Sequence, residues 1–123
     1  MDKENNKKII TKEEQVTIVN LTPHTINILN QTREEIANYK SEGVARCTQE
    51  ISVEGQLNNI PIIKTVLGEV EGLPDEDEEG NTFYIVSRLI QQAFKDRTDL
   101  LAPGELVRDA EGRVIGCKSL SIN

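Results

Sequence analysis

Short runs of β-branched and aliphatic residues, broken by clusters of turn-forming residues, recur along most of the chain. Val16–Leu21 (VTIVNL) and Thr25–Asn30 (TINILN) have strand composition, and Thr22-Pro23-His24 between them reads as a turn or kink. The segment 32–43 (TREEIANYKSEG) is ambiguous: Ile36 and Tyr39 could anchor a short amphipathic helix ended by Gly43. Segments 44–55 (VARCTQEISVEG) and 60–72 (IPIIKTVLGEVEG) read as strands joined by the turn-prone GQLNN, and Pro61 places the second at an edge or at a strand start. Segment 82–87 (TFYIVS) is a further strand, with Ser87 placed to cap the helix that follows.

In that helix, 87–96 (SRLIQQAFKD), Leu89, Ile90, Ala93 and Phe94 form an apolar stripe at helical spacing, and Arg88, Gln91, Gln92 and Lys95 face elsewhere. The stripe is core or a partner surface. Segment 97–105 (RTDLLAPGE) reads as a loop stopped by Pro103-Gly104, before a final hairpin. The expected fold is α+β: mainly antiparallel β-sheet, one clear amphipathic helix after an acidic loop, and a C-terminal β-hairpin.

That hairpin, 105–123 (ELVRDAEGRVIGCKSLSIN), carries an arginine on each side of its turn. Asp109 at the first turn position and Gly112 at the fourth are the preferences of a type I turn whose glycine takes positive φ. A three-residue loop, Ala110–Gly112, sets Asp109 opposite Arg113, and an ion pair there accounts for Arg113. Arg108 is one residue back, so its side chain points to the other face, beside Leu106 and Val114. It has no local anion. A guanidinium on an apolar face needs a carboxylate from elsewhere in the fold or an anionic ligand.

Composition narrows the classes. At 123 residues the chain is expected to be one ligand-binding domain, residues 16–123, preceded by a flexible polar tail, residues 1–15. Aromatic residues are 3% of the chain, so Ile, Val and Leu must fill the core. A formal charge of −7 argues against a general nucleic-acid binder, but leaves room for a small phosphate ligand that needs only a few arginines. No apolar run is long enough for a transmembrane helix, and the polar N-terminus lacks the apolar stretch of a signal peptide. Cys47 and Cys117 fit no metal or redox spacing and read as buried thiols of a cytosolic protein.

Reactive constellations are not evident. His24 is the only histidine, the cysteines have no predictable base partner, and neither a phosphate loop nor a nucleophile elbow is present. The consecutive acids Asp75–Glu79 read as a solvated loop, or else as a lure for a basic partner. What stands out is arginine. Of six, Arg88, Arg97, Arg108 and Arg113 fall in the last third, near Phe83 and Tyr84. Guanidinium forks bind phosphate oxygens and an aromatic face can stack on a base, which together make a nucleotide-sized site. Arg97 and Asp99 also suit an ion pair that orders their loop. Phe83 and Tyr84 point to opposite faces of one strand, one into the core.

Taken together, VNLTPHTINI, GVAR, VLGEVEGLP, YIVSRLI, RTDLLAPG and VRDAEGRVIGC resemble a family of small phage and prophage proteins, the type 1 Thoeris anti-defence sponges. The resemblance covers most of the chain from Val16 onward; the acidic loop and residues 1–15 stand as local additions. It implies a non-enzymatic protein of the host bacterial cytoplasm that sequesters a cyclic ADP-ribose isomer (of the 1''-3' glycocyclic type), needs no cofactor or metal, and so silences an immune alarm. It further implies homodimers or larger homo-oligomers with pockets at subunit interfaces, some of which also take cyclic oligonucleotides. On this reading Arg108 contacts phosphate or ribose, Arg97 and Arg46 are secondary contacts, and Phe83 or Tyr84 stacks on the base. Asp109 is either the partner of Arg113 or an acceptor for a ribose hydroxyl. Two other classes stay open: a phage protein that binds a host protein through its acidic loop and helix, and a small nucleotide-processing enzyme.

Overall fold

The structure is a computed structural model that describes residues 16–123; the proposed tail, residues 1–15, lies outside them. In chain order the elements are β1 (Thr17–Asn20), β2 (Ile26–Leu29), β3 (Glu35–Tyr39), β4 (Arg46–Leu57), β5 (Ile60–Glu71), β6 (Thr82–Ile85), α1 (Arg88–Ala93), β7 (Leu100–Pro103), β8 (Leu106–Arg108), β9 (Val114–Cys117) and β10 (Leu120–Ile122). They make an α+β fold of two four-stranded sheets and a two-stranded ribbon. The first sheet has the order β1-β6-β7-β10, the second β3-β2-β9-β8, and β4 pairs only with β5.

The first sheet holds the core. β1 and β6 run parallel, as do β6 and β7, while β10 closes the edge antiparallel to β7. Parallel neighbours need a crossover, and residues 86–99 with α1 supply it. Ser87 caps α1 as its position suggests, its hydroxyl accepting from the Ile90 amide at 3.3 Å. Leu21, Tyr84, Val86, Ile90 and Leu100 bury together, with Phe94 packed against them. Each such aliphatic side chain contributes roughly 1.5–3 kcal/mol of burial.

Three expectations are corrected. Residues 35–39 are a strand, not a helix. Asn30 Oδ1 accepts from the amides of Thr32 and Glu34, both at 2.9 Å, and Arg33 takes φ 69°, so the chain turns back and β3 pairs antiparallel to β2. Sheet pairing thus overrides the weak helical spacing of Ile36 and Tyr39. Residues 100–103 are a buried strand, not a loop. Covered on both faces, β7 shows a continuous apolar run rather than alternation. In α1 the buried residues are Ile90 and Gln91, with the C-cap Phe94 half-buried beside them, while Leu89 and Ala93 are exposed. Gln91 is drawn in because Nε2 donates to the carbonyls of Leu100 (3.2 Å) and Ser121 (2.7 Å).

Two crossings join the sheets. β7–β8 and β9–β10 form one long hairpin that bends out of the first sheet into the second at Gly104 and Ser119. The Gly104 amide donates to Ser119 O at 2.7 Å, and the Lys118 amide to Glu105 O at 2.8 Å. A Cβ at Gly104 would meet the Ser119 hydroxyl and lie only 3.0 Å from the Ser119 carbonyl oxygen, so the corner favours glycine. The other crossing runs from β1 to β2 around Asn20, whose side chain is fully buried. Its Nδ2 donates to the carbonyls of His24 (2.7 Å) and Tyr39 (2.8 Å). Its Oδ1 accepts from the Thr22 amide (2.9 Å) and hydroxyl (2.7 Å). Both donors and both lone pairs are used.

The ribbon β4–β5 stands apart. Asn58 and Asn59, at φ 50° and 65°, make the tight turn that favours hairpins, and asparagine tolerates that geometry. Each strand is 12 residues long, about 40 Å when extended. Ile51, Val53 and Ile63 are exposed on one face, and Leu57, Ile60, Ile62 and Val66 on the other.

Replacing Asn20 removes the side-chain donor of the Tyr39 carbonyl, leaves the His24 carbonyl only the Thr22 hydroxyl, and empties a fully buried site. Asn20→Ala is expected to lower stability by about 2–4 kcal/mol, read as a shift in the urea midpoint at unchanged slope.

Candidate functional site

A cleft of about 250 Å³ opens between the 24–27 segment and the β8–β9 hairpin. Leu106, Val114 and Ile115 form its apolar wall, residues 24–27 the more polar one, and Gly116 and Cys117 the floor. The Asn20 amide sets one wall by holding the His24 carbonyl. Gly116 sets the width: a Cβ there would lie 2.8 Å from Asn27 O and about as close to Leu29, so only glycine lets β9 approach β2 this far. Asn27 Nδ2 donates to Ile115 O on the neighbouring strand β9 at 3.3 Å.

Arg108 lies at the end of the apolar wall, opposite Val114 in the strand pairing. Its side chain is exposed, and Nη1 donates to Gly112 O at 2.8 Å. Among the described residues no carboxylate pairs with it. Asp109, by contrast, is engaged by the turn. Its Oδ1 accepts from the amides of Glu111 (2.9 Å) and Arg113 (3.0 Å), and its Oδ2 from Arg113 Nε (3.0 Å). Asp109 is therefore the hairpin partner of Arg113. The Arg113 amide, ahead of the other hydrogen bonds, holds the Asp109 carboxyl below its ordinary range. Arg113 also pairs with Glu111 at 2.6 Å.

The remaining candidates lie elsewhere. Arg97 is a structural clamp. Its Nε and Nη2 bind the Asp99 carboxylate at 3.0 and 2.7 Å, and Nη2 also donates to Pro74 O at 3.0 Å, tying the acidic loop to the sheet. The Asp99 hydrogen bond raises the Arg97 pKa against the cost of burial. Tyr84 is buried in the core, so of the two aromatics it is the one withdrawn from stacking; Phe83 is half-buried on β6 opposite Ile18. Arg46 is exposed at the root of the ribbon, opposite Glu71. Of the six residues, only Arg108 and Asp109 sit on the hairpin that walls the cleft.

Burial pushes the Cys117 thiol up, the backbone amides of Gly104 and Ser119 opposing weakly, so the sulfur beneath the cleft stays a neutral thiol and a poor nucleophile. Cys47 is half-buried rather than buried, because it lies where β4 leaves the core. Sequence reasoning missed Asn27. A polar residue inside the strand-forming TINIL was the available signal, but its partner is 88 residues away.

Among the described residues, no helix is long and apolar enough to cross a membrane, and no three His, Cys, Asp or Glu side chains group as metal ligands. Comparison with protein-family models, with curated proteins and with solved structures finds no match.

The depressed Asp109 pKa fixes the sign of one pH effect. A carboxylate with a lowered folded-state pKa contributes its stabilisation above the unfolded value, about 3.9, and loses it as pH falls through the folded value. The Gly112 and Arg113 amide resonances should hold steady down to about pH 4 and shift below it. In Asp109→Asn they should show no such step.

Proposed function

We propose that this protein captures a small cyclic nucleotide of the cyclic ADP-ribose type and retains it unaltered, as the resemblance to the Thoeris anti-defence sponges implies. The observation that carries the reading is Arg108: an exposed guanidinium beside an apolar cleft, held by the Gly112 carbonyl and by no carboxylate among the described residues. A carbonyl contact orients the fork and leaves its charge uncompensated, so the remaining donors suit phosphate oxygens. The neutral thiol of Cys117 supports capture over covalent chemistry at the same cleft.

Magnitude argues for more than one chain. Nanomolar retention takes about 12 kcal/mol, and a cleft of about 250 Å³ with one arginine contributes only part of it. The ribbon supplies a reason for a second copy. An isolated two-stranded hairpin is marginal in water, and this one exposes Ile51 at 65%, Val53 at 70% and Leu57 at 67%. Exposed apolar faces of this length mark an interaction surface. In our reading a second copy covers the ribbon, and the assembly completes the pocket that each chain begins.

Two measurements test this. Calorimetry with 1''-3' glycocyclic ADP-ribose should show tight binding by the native protein and at least a hundredfold weaker binding by Arg108→Ala, with Tm nearly unchanged; heat denaturation should release the nucleotide intact. Equal loss of folding in Arg108→Ala, or release of a cleaved product, refutes the reading. Separately, native mass spectrometry should find dimers or larger homo-oligomers, and Ile51→Lys with Ile63→Lys should shift them to monomers.

A further inference from the structure

We infer that Asn27 reads the base of the bound nucleotide and selects adenine over oxo-purines. The inference rests on the sequestration reading and adds a specificity-determining residue to it. A cleft of about 250 Å³ falls below the ~300–1,000 Å³ of pockets that enclose a whole small ligand. One flat ring system fits; a nucleotide with two phosphates does not. Its apolar wall, Leu106, Val114 and Ile115, is exposed in the free chain and offers one face of such a ring a surface to cover. Arg108 at the end of that wall then lies outside the ring's place, where phosphates leave the cleft.

Asn27, on β2 beside β9 and lining the same cleft, supplies the edge contact. Asn27 Nδ2 donates one hydrogen to Ile115 O at 3.3 Å. Its second hydrogen and its Oδ1 have no partner among the described residues. The bond to Ile115 O also fixes which end of the amide is nitrogen, because a carbonyl accepts only from that end. The side chain therefore presents one donor and one acceptor side by side. Adenine matches this with its N6 amino group and N7, the pairing by which asparagine reads adenine in other settings. Guanine and hypoxanthine present O6 and N7, two acceptors, and Oδ1 would face an oxygen with no hydrogen between them.

The test compares two ligands that differ only at this edge: 1''-3' glycocyclic ADP-ribose and its hypoxanthine counterpart, with oxo in place of amino. Calorimetry on the whole protein should show the hypoxanthine form binding about tenfold more weakly to the native chain. Asn27→Ala should erase the difference by weakening the adenine form alone, and Asn27→Ser should do the same if Asn27→Ala folds poorly. Equal affinities in the native protein overturn the assignment while leaving sequestration intact, as does a preference that survives both substitutions. If the native protein binds neither form, sequestration itself fails, and the role of Asn27 fails with it.

Discussion

The fold turns on one buried amide. Asn20 sits where the chain leaves the first sheet for the second, and its four hydrogen bonds hold the carbonyls of His24 and Tyr39 and both the amide and hydroxyl of Thr22. A buried polar side chain is costly unless wholly satisfied, and here nothing is left over. The same bonds that make the burial tolerable set the direction of the 22–25 turn. That turn starts one wall of the cleft, so the position of the candidate site follows from the satisfaction of a single residue.

Around that constraint the chain divides its labour unevenly. A small aliphatic core under β6, β7 and α1 carries the stability, while the second sheet presents the cleft and the Arg108 hairpin. Beyond Cys47 at its root, the ribbon β4–β5 lies outside both and leaves most of its apolar side chains in water. Capture without chemistry fits such a molecule. It asks for a preformed slot, an unneutralised cation and a means of enclosing the guest, and it asks for no group to change its protonation.

Local features were legible in the amino-acid order, and distant ones were not. The Asp109–Gly112 turn, the Ser87 cap and the Arg97–Asp99 pair each depend on partners within a few residues, so residue type and spacing suffice to find them. The opposite holds for β3 and β7. Five residues with two large apolar side chains do not reveal a strand until β2 is beside them. The Leu-Leu-Ala run of β7 looks like a loop until β6 and β10 pair with its two edges. Arg108 was recognisable as lacking a local anion. The cleft beside it was not, because its walls come from segments some 88 residues apart.

The shared hairpin has a consequence for how the protein is made. β10 completes the first sheet and β9 the centre of the second, so both sheets draw their closing strands from the last segment of the chain. β1 meanwhile must find β6 across the whole ribbon. Pairings of such long sequence separation carry a large loop-closure cost before they return any contact energy, and they slow assembly. During synthesis on the ribosome, β2–β3 and β4–β5 are pairings whose two strands emerge one after the other. The core draws on residues from Leu21 to Leu100, whereas the cleft needs Leu106 and Val114–Cys117 as well, so the cleft is the later of the two to be completed.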